Sequence, residues 1–107
     1  MLVQDAYLFM FKMLSDYYFH INQNESLNTL ISDMDPYLHI DRSAADPATY
    51  DDWYNIVKKY IKGGKIDKKY ISVALQDFLD YYQQEFEYGL EDVIRYFIEN
   101  RSIFDVS

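Results

Sequence analysis

The sequence predicts an all-α fold, a compact irregular bundle of about five helices forming a single domain over residues 1–107. Three observations predict it. Only three Gly and two Pro punctuate the chain, apolar residues between them recur three and four apart, and strand-like alternation is nearly absent. Half of the residues are hydrophobic, enough for a chain of this length to bury roughly two thirds of the surface its unfolded form exposes.

The first helix spans about residues 3–21. Val3, Tyr7, Met10, Leu14, Tyr17 and Ile21 form one stripe, Phe11 and Tyr18 widen it, and Gln4, Asp5, Lys12 and Asp16 take the other side. The polar joint Asn22-Gln23-Asn24 offers Asn24 as a side-chain cap for a short second helix carrying Leu27, Leu30, Ile31 and Met34, which Pro36 ends. Residues 36–45 lack a clear period and read as a long surface loop holding His39, Asp41 and Arg42. Asp46-Pro47 then starts a helix: the Asp side chain accepts a backbone N–H, and Pro fits the first turn, where its missing donor is no loss. This third helix is expected to run to about residue 62, with Tyr50, Trp53, Val57 and Tyr60 inward, Ile56 and Ile61 alongside, and Gly63-Gly64 as its stop.

The fourth helix, about residues 67–88, is the cleanest amphipathic pattern. Ile71, Leu75, Phe78, Leu79, Tyr82 and Phe86 share the inner face, and Gln76, Asp77, Asp80, Gln83, Gln84 and Glu87 lie opposite. Gly89 breaks it, and Leu90, Val93, Ile94, Phe97 and Ile98 carry a fifth helix, after which residues 103–106 are expected to dock back. A short echo links Leu14-Ser15-Asp16-Tyr17-Tyr18 with Phe78-Leu79-Asp80-Tyr81-Tyr82; each is followed by a polar joint and a short apolar-periodic helix.

Composition excludes several function classes. With no Cys, the chain has no disulfide, thiolate zinc site or cysteine nucleophile, which suits a reducing compartment. Asp5 stands where a signal peptide needs a basic region, and the longest apolar run, residues 6–11, is far short of the ~20 residues that cross a bilayer. The expectation is a soluble cytoplasmic protein. A net charge of −8 is the wrong sign for binding nucleic acid or an anionic membrane and the right sign for a basic protein partner.

Chemistry-bearing patterns are few. His39-Ile40-Asp41 could orient a general base, but no second His or nucleophile motif accompanies it, and His20 reads as a cation at a helix C-terminus. Asp33-Met34-Asp35 opens like a calcium loop, yet Tyr37 and Leu38 replace a ligand and the turn glycine, and no Glu closes the loop. Lys62-Gly63-Gly64-Lys65 has the composition of a phosphate grip without the P-loop spacing or its Ser/Thr, and a glycine helix stop is the better reading. No catalytic, cofactor or metal residues are therefore expected, and the chain reads as a non-enzyme.

Charge distribution says more. Residues 58–69 hold six basic residues and one acid, a local +5, and the remaining 95 hold 17 acids and four bases, a local −13. Residues 77–92 contain six acids and no base, with tyrosines among them. Uncompensated charge costs stability by self-repulsion, and acids flanked by tyrosines have the composition of a steered protein interface. The expected contacts are Asp77, Asp80, Tyr81, Gln84, Glu87, Tyr88, Glu91 and Asp92. A second candidate group is Asp33, Asp35, His39 and Asp41. Helix capping and solubility account equally for some acids, Asp46, Asp51, Glu91 and Asp92 among them.

Ala6-Tyr7, Met10, Leu14 and Tyr17-Tyr18, with Leu30-Ile31-Ser32-Asp33-Met34 and the stretch from Ala45-Asp46-Pro47-Ala48 to Asp52-Trp53, resemble small bacterial immunity proteins of contact-dependent growth inhibition and related polymorphic toxin systems. The resemblance covers the first half of the chain. It implies a cytoplasmic, non-enzymatic protein that binds one cognate toxin domain, commonly a basic nuclease, one to one and blocks it. In it, Asp46, Pro47 and Trp53 look like fold determinants more than contacts. The competing class is a helical adaptor or regulatory subunit that docks a basic protein without inhibiting a toxin.

Overall fold

The structure, a computed structural model, describes residues 1–36 and 47–105. The first apolar stripe winds into α1 (Val3–His20), with Ala6, Tyr7, Met10, Leu14 and Tyr17 buried. Ile21 departs from the expectation: it is the residue at which the helix stops, and its side chain is exposed. Asn24 caps α2 (Glu25–Met34) as expected, accepting the Leu27 N–H at 2.9 Å. The predicted loop and the Asp46 cap lie outside the described residues. Pro47 does open the next helix, α3 (Pro47–Val57).

The chain from residue 58 corrects the sequence reading. The third helix ends at Val57, Lys58–Tyr60 make a 3₁₀ turn, and β1 (Ile61–Lys62) pairs antiparallel with β2 (Lys65–Ile66), Ile61 opposite Ile66 and Lys62 opposite Lys65. Gly63 and Gly64 are the turn of this hairpin, at φ 60° and 74°. One left-handed glycine suffices to stop a helix; two in succession give the tight turn whose twist matches a pair of strands. The Met1 nitrogen donates to the Ile66 carbonyl at 3.0 Å and the Met1 carbonyl accepts from the Ile66 N–H at 2.8 Å, so the first residues lie along β2.

A second 3₁₀ turn, Lys68–Tyr70, is capped by Asp67 and leads into α4 (Ile71–Glu85). The expected inner face is buried except for Phe86, which the helix does not reach: α4 ends at Glu85, Glu87 turns the chain at φ 57°, and the Phe86 ring is 50% exposed. α5 (Glu91–Glu99) buries Val93, Ile94 and Phe97; Ile98, expected inside, lies on the rim of a groove against α4 and is exposed. The tail docks back through a 3₁₀ segment, Arg101–Asp105, with Phe104 buried against Phe9 and Phe97; Val106 is outside the described residues. The fold class is thus all-α, with one two-stranded hairpin among the described residues.

The sequence echo falls on the helix pairs α1–α2 and α4–α5, and the two joints meet. Asn24 Nδ2 donates to the Gly89 carbonyl at 2.7 Å, Gly89 N–H donates to Ser26 Oγ at 3.1 Å, and Asn22 and Asn24 both donate to the Asp92 carboxylate. α4 lies between the other elements, packing against α1, α3 and α5.

Three helices are joined at Tyr7. Its ring meets Tyr50 and Trp53 of α3 edge-on, both at 5.0 Å between centroids, and its hydroxyl donates to the Met34 carbonyl at 2.6 Å. That carbonyl lies in the last turn of α2, where no helical N–H remains to bond it. The Trp53 indole in turn donates to the Met10 sulfur at 3.1 Å. Tyr7→Phe keeps the ring and strands the buried carbonyl, so it is expected to cost about 1–3 kcal/mol in urea unfolding while the helical circular dichroism is retained.

Candidate protein-binding face

The predicted contact residues divide into three groups. Asp77 and Asp92 are occupied within the fold. Asp77 accepts from Tyr60 Oη at 2.5 Å and pairs with Lys59 Nζ at 3.2 Å, pinning the 3₁₀ turn before the hairpin to α4. Asp92 holds the joint of α1 and α2 against the start of α5, where a carboxylate also suits the helix dipole.

Asp80 and Glu91 line a shallow groove of about 310 Å³ between α4 and α5, with Gln83, Ile94, Arg95, Ile98 and Glu99. Burial, and then the charge of Asp77, push the Asp80 carboxyl above the usual carboxylate range. Gln83 Oε1 is buried with no hydrogen-bond partner among the described residues. Three carboxylates and an unpaired carbonyl against one guanidinium make the groove predominantly a hydrogen-bond acceptor. Gln84 is exposed on the same side of α4.

Tyr81, Glu87 and Tyr88 belong to the third group, at the C-terminal end of α4. Tyr82 is its buried centre: Phe86 stacks on it at 5.0 Å, and Tyr81 and Tyr88 lie against it at 5.4 and 5.6 Å. The Tyr82 hydroxyl donates to Asp52 Oδ2 on α3 at 3.0 Å. Burial, then the Asp52 and Glu85 charges, raise the Tyr81 phenol, and burial, then Asp33, raises that of Tyr88. Asp33 of the second candidate group and Asp52 of α3 therefore lie near the same aromatic end. Asp33 and Asp35 are half-buried near the end of α2; His39 and Asp41 lie outside the described residues.

Glu87, the residue between Phe86 and Tyr88 in the chain, is exposed and in a left-handed conformation that costs a non-glycine residue about 1 kcal/mol or more. Strain of this kind gathers at functional positions. Two residues here escaped the sequence pattern. Phe86 follows Tyr82 by four and reads as core, and only the early end of the helix turns it outward. Asp52 follows Asp51 on the third helix, with nothing in the sequence to show that it reaches Tyr82 across thirty positions.

Among the described residues, no three His, Asp or Glu side chains are grouped to hold a metal ion, and no helix is long and apolar enough to cross a membrane. No protein family, curated protein or solved structure matches the chain.

Two expectations follow. Glu87→Gly relieves the left-handed strain and is expected to raise stability by up to about 1 kcal/mol in thermal unfolding; a loss of stability would show that Glu87 is held by contacts that outweigh it. The second concerns alkaline pH. Burial, more than any neighbouring charge, keeps the Tyr7 and Tyr82 phenols protonated well above the usual tyrosine range. Once unfolded they ionise near pH 10, so the unfolded chain binds fewer protons above that pH and stability falls as pH rises. The urea midpoint is expected to hold from about pH 8 to 9 and to drop by about pH 11, less steeply in Tyr82→Phe.

Proposed function

We propose that this chain is a non-enzymatic cytoplasmic inhibitor, an immunity protein that binds a basic toxin domain of the nuclease class one to one and blocks it. The observation that carries this reading is the end of α4: a half-exposed Phe86 beside the strained, exposed Glu87 and the half-buried Tyr88, with Glu85, Asp52 and Asp33 around them. No Lys or Arg occurs between residues 70 and 94, the segment that carries Glu85 and Glu87.

Aromatic anchors supply contact area at low entropic cost, and acids around them steer a basic partner and discriminate against an acidic one. The adjoining groove, with Asp80, Glu91 and the unpaired Gln83 oxygen, suits a guanidinium or ammonium group from the same partner. Occlusion of a basic substrate cleft by such a face would compete with a phosphate backbone for the same cations. The family assignment itself rests on the motif resemblance of residues 6–53.

The test is a protection assay in a heterologous bacterium, pairing this chain with the product of the gene immediately upstream of its own. Wild type is expected to relieve growth arrest, and Glu85→Lys/Phe86→Ala/Glu87→Lys to lose protection while keeping the helical circular dichroism. Full protection by the triple variant would remove this face from the interface. An upstream product that arrests nothing, or an arrest this chain does not relieve, would overturn the immunity reading.

A further inference from the structure

The positive pole of the molecule is organised by the hairpin that the sequence hides. Lys62, Lys65, Lys68 and Lys69 line a cleft of about 490 Å³ together with Met1, whose ammonium is held by the Ile66 carbonyl, and with Tyr60 and Tyr70. Lys62 and Lys65 are register partners in the antiparallel pair, directly opposite one another. Like charges in that relation destabilise a hairpin, and no carboxylate offsets them: none of the four exposed lysines is in an ion pair among the described residues. The cleft's one acid, Asp67, accepts the Lys69 backbone N–H at 3.2 Å as a turn cap.

The arrangement selects a class of anion. Four ammoniums around a cleft of this size exceed what one carboxylate or one phosphate can neutralise, and lysines bind phosphate oxygens as point charges without fixing their geometry. The tyrosines are not a platform for a base. Tyr60 and Tyr70 stack on each other at 5.4 Å, and Lys59 and Lys69 hold ammoniums 5.2 and 5.1 Å from the Tyr60 and Tyr70 ring centres. The molecule measures 35 × 30 × 25 Å, so much of its acidic body lies beyond the ~10 Å over which charge is felt at moderate salt.

We propose that this cleft binds an oligophosphate chain, either free or as the tail of a nucleotide. The chain's successive phosphates bridge the facing Lys62 and Lys65 and the following Lys68 and Lys69, replacing the repulsion across the hairpin with attraction. This site is separate from the acidic face and does not depend on the immunity reading.

Isothermal titration with tripolyphosphate, ATP and AMP, at about 50 mM and about 300 mM salt, tests it. Tripolyphosphate is expected to bind one to one at low salt, several-fold more weakly at high salt, and AMP at least tenfold more weakly than either longer chain. ATP equal to tripolyphosphate assigns the chain alone as ligand, and ATP tighter than tripolyphosphate assigns a nucleotide. Lys62→Gln/Lys65→Gln is expected to lose at least tenfold in affinity while unfolding at a temperature no lower than wild type, since it removes the facing charges. Lys68→Gln/Lys69→Gln, outside the strand ladder, is expected to show the same loss, and Lys12→Gln/Arg101→Gln, with the same change in net charge, none. No binding of tripolyphosphate overturns the proposal. So does unchanged affinity in both lysine pairs, or binding of a single-stranded RNA oligomer with none of tripolyphosphate.

Discussion

The hydroxyl of Tyr7 on the last-turn carbonyl of α2 is the contact on which the rest of the arrangement depends. A ten-residue helix that ends just before a proline has carbonyls it cannot bond for itself, and burying one without a donor would cost about 1–3 kcal/mol. Tyr7 solves this from within α1 and, with the same ring, fixes Tyr50 and Trp53 of α3. Three helices thereby meet at one side chain, and α4 closes over them with Leu75, Phe78, Leu79 and Tyr82.

From that frame the acidic face follows. Tyr82 fills the far side of the core and carries its hydroxyl to Asp52, so α3 and α4 are bound at the end of α4 and the aromatic cluster is built on a rigid base. The chain must then reverse within a few residues to start α5, and the reversal falls on Glu87, a residue poorly suited to it. A glycine would turn more cheaply, yet Glu87 adds an exposed carboxylate to the aromatic end of α4. Asp80, half-buried beside Asp77, likewise gives up stability in the isolated molecule. Both features fit a surface shaped for contact more than for the stability of the free chain.

The opposite pole shows the same economy of charge. Lysines that a solubility role would scatter are instead set facing each other on a two-residue turn, while Lys59 is paired with Asp77. The molecule is therefore a dipole with two distinct surfaces, one acidic and aromatic, one basic and nearly free of acid.

Helix periodicity, the Asn24 cap, the Pro47 start and the buried stripe of α1 were legible in the sequence because they depend on neighbours three or four positions away. So was the polarity of charge, which composition along the chain fixes. The hairpin was not: Ile61 and Lys62 continue the helical spacing, and only pairing with Lys65, Ile66 and the chain start makes a strand of them. Nor were the places of Phe86, Asp77 and Asp92, which read as core and as free surface until the early end of α4, the Tyr60 hydroxyl and the two asparagines claim them. Sequence by itself determined the all-α class and the signs of the two poles, since both are local sums. Only the tertiary structure decided which acids remain free, because that depends on donors seventeen to seventy positions away.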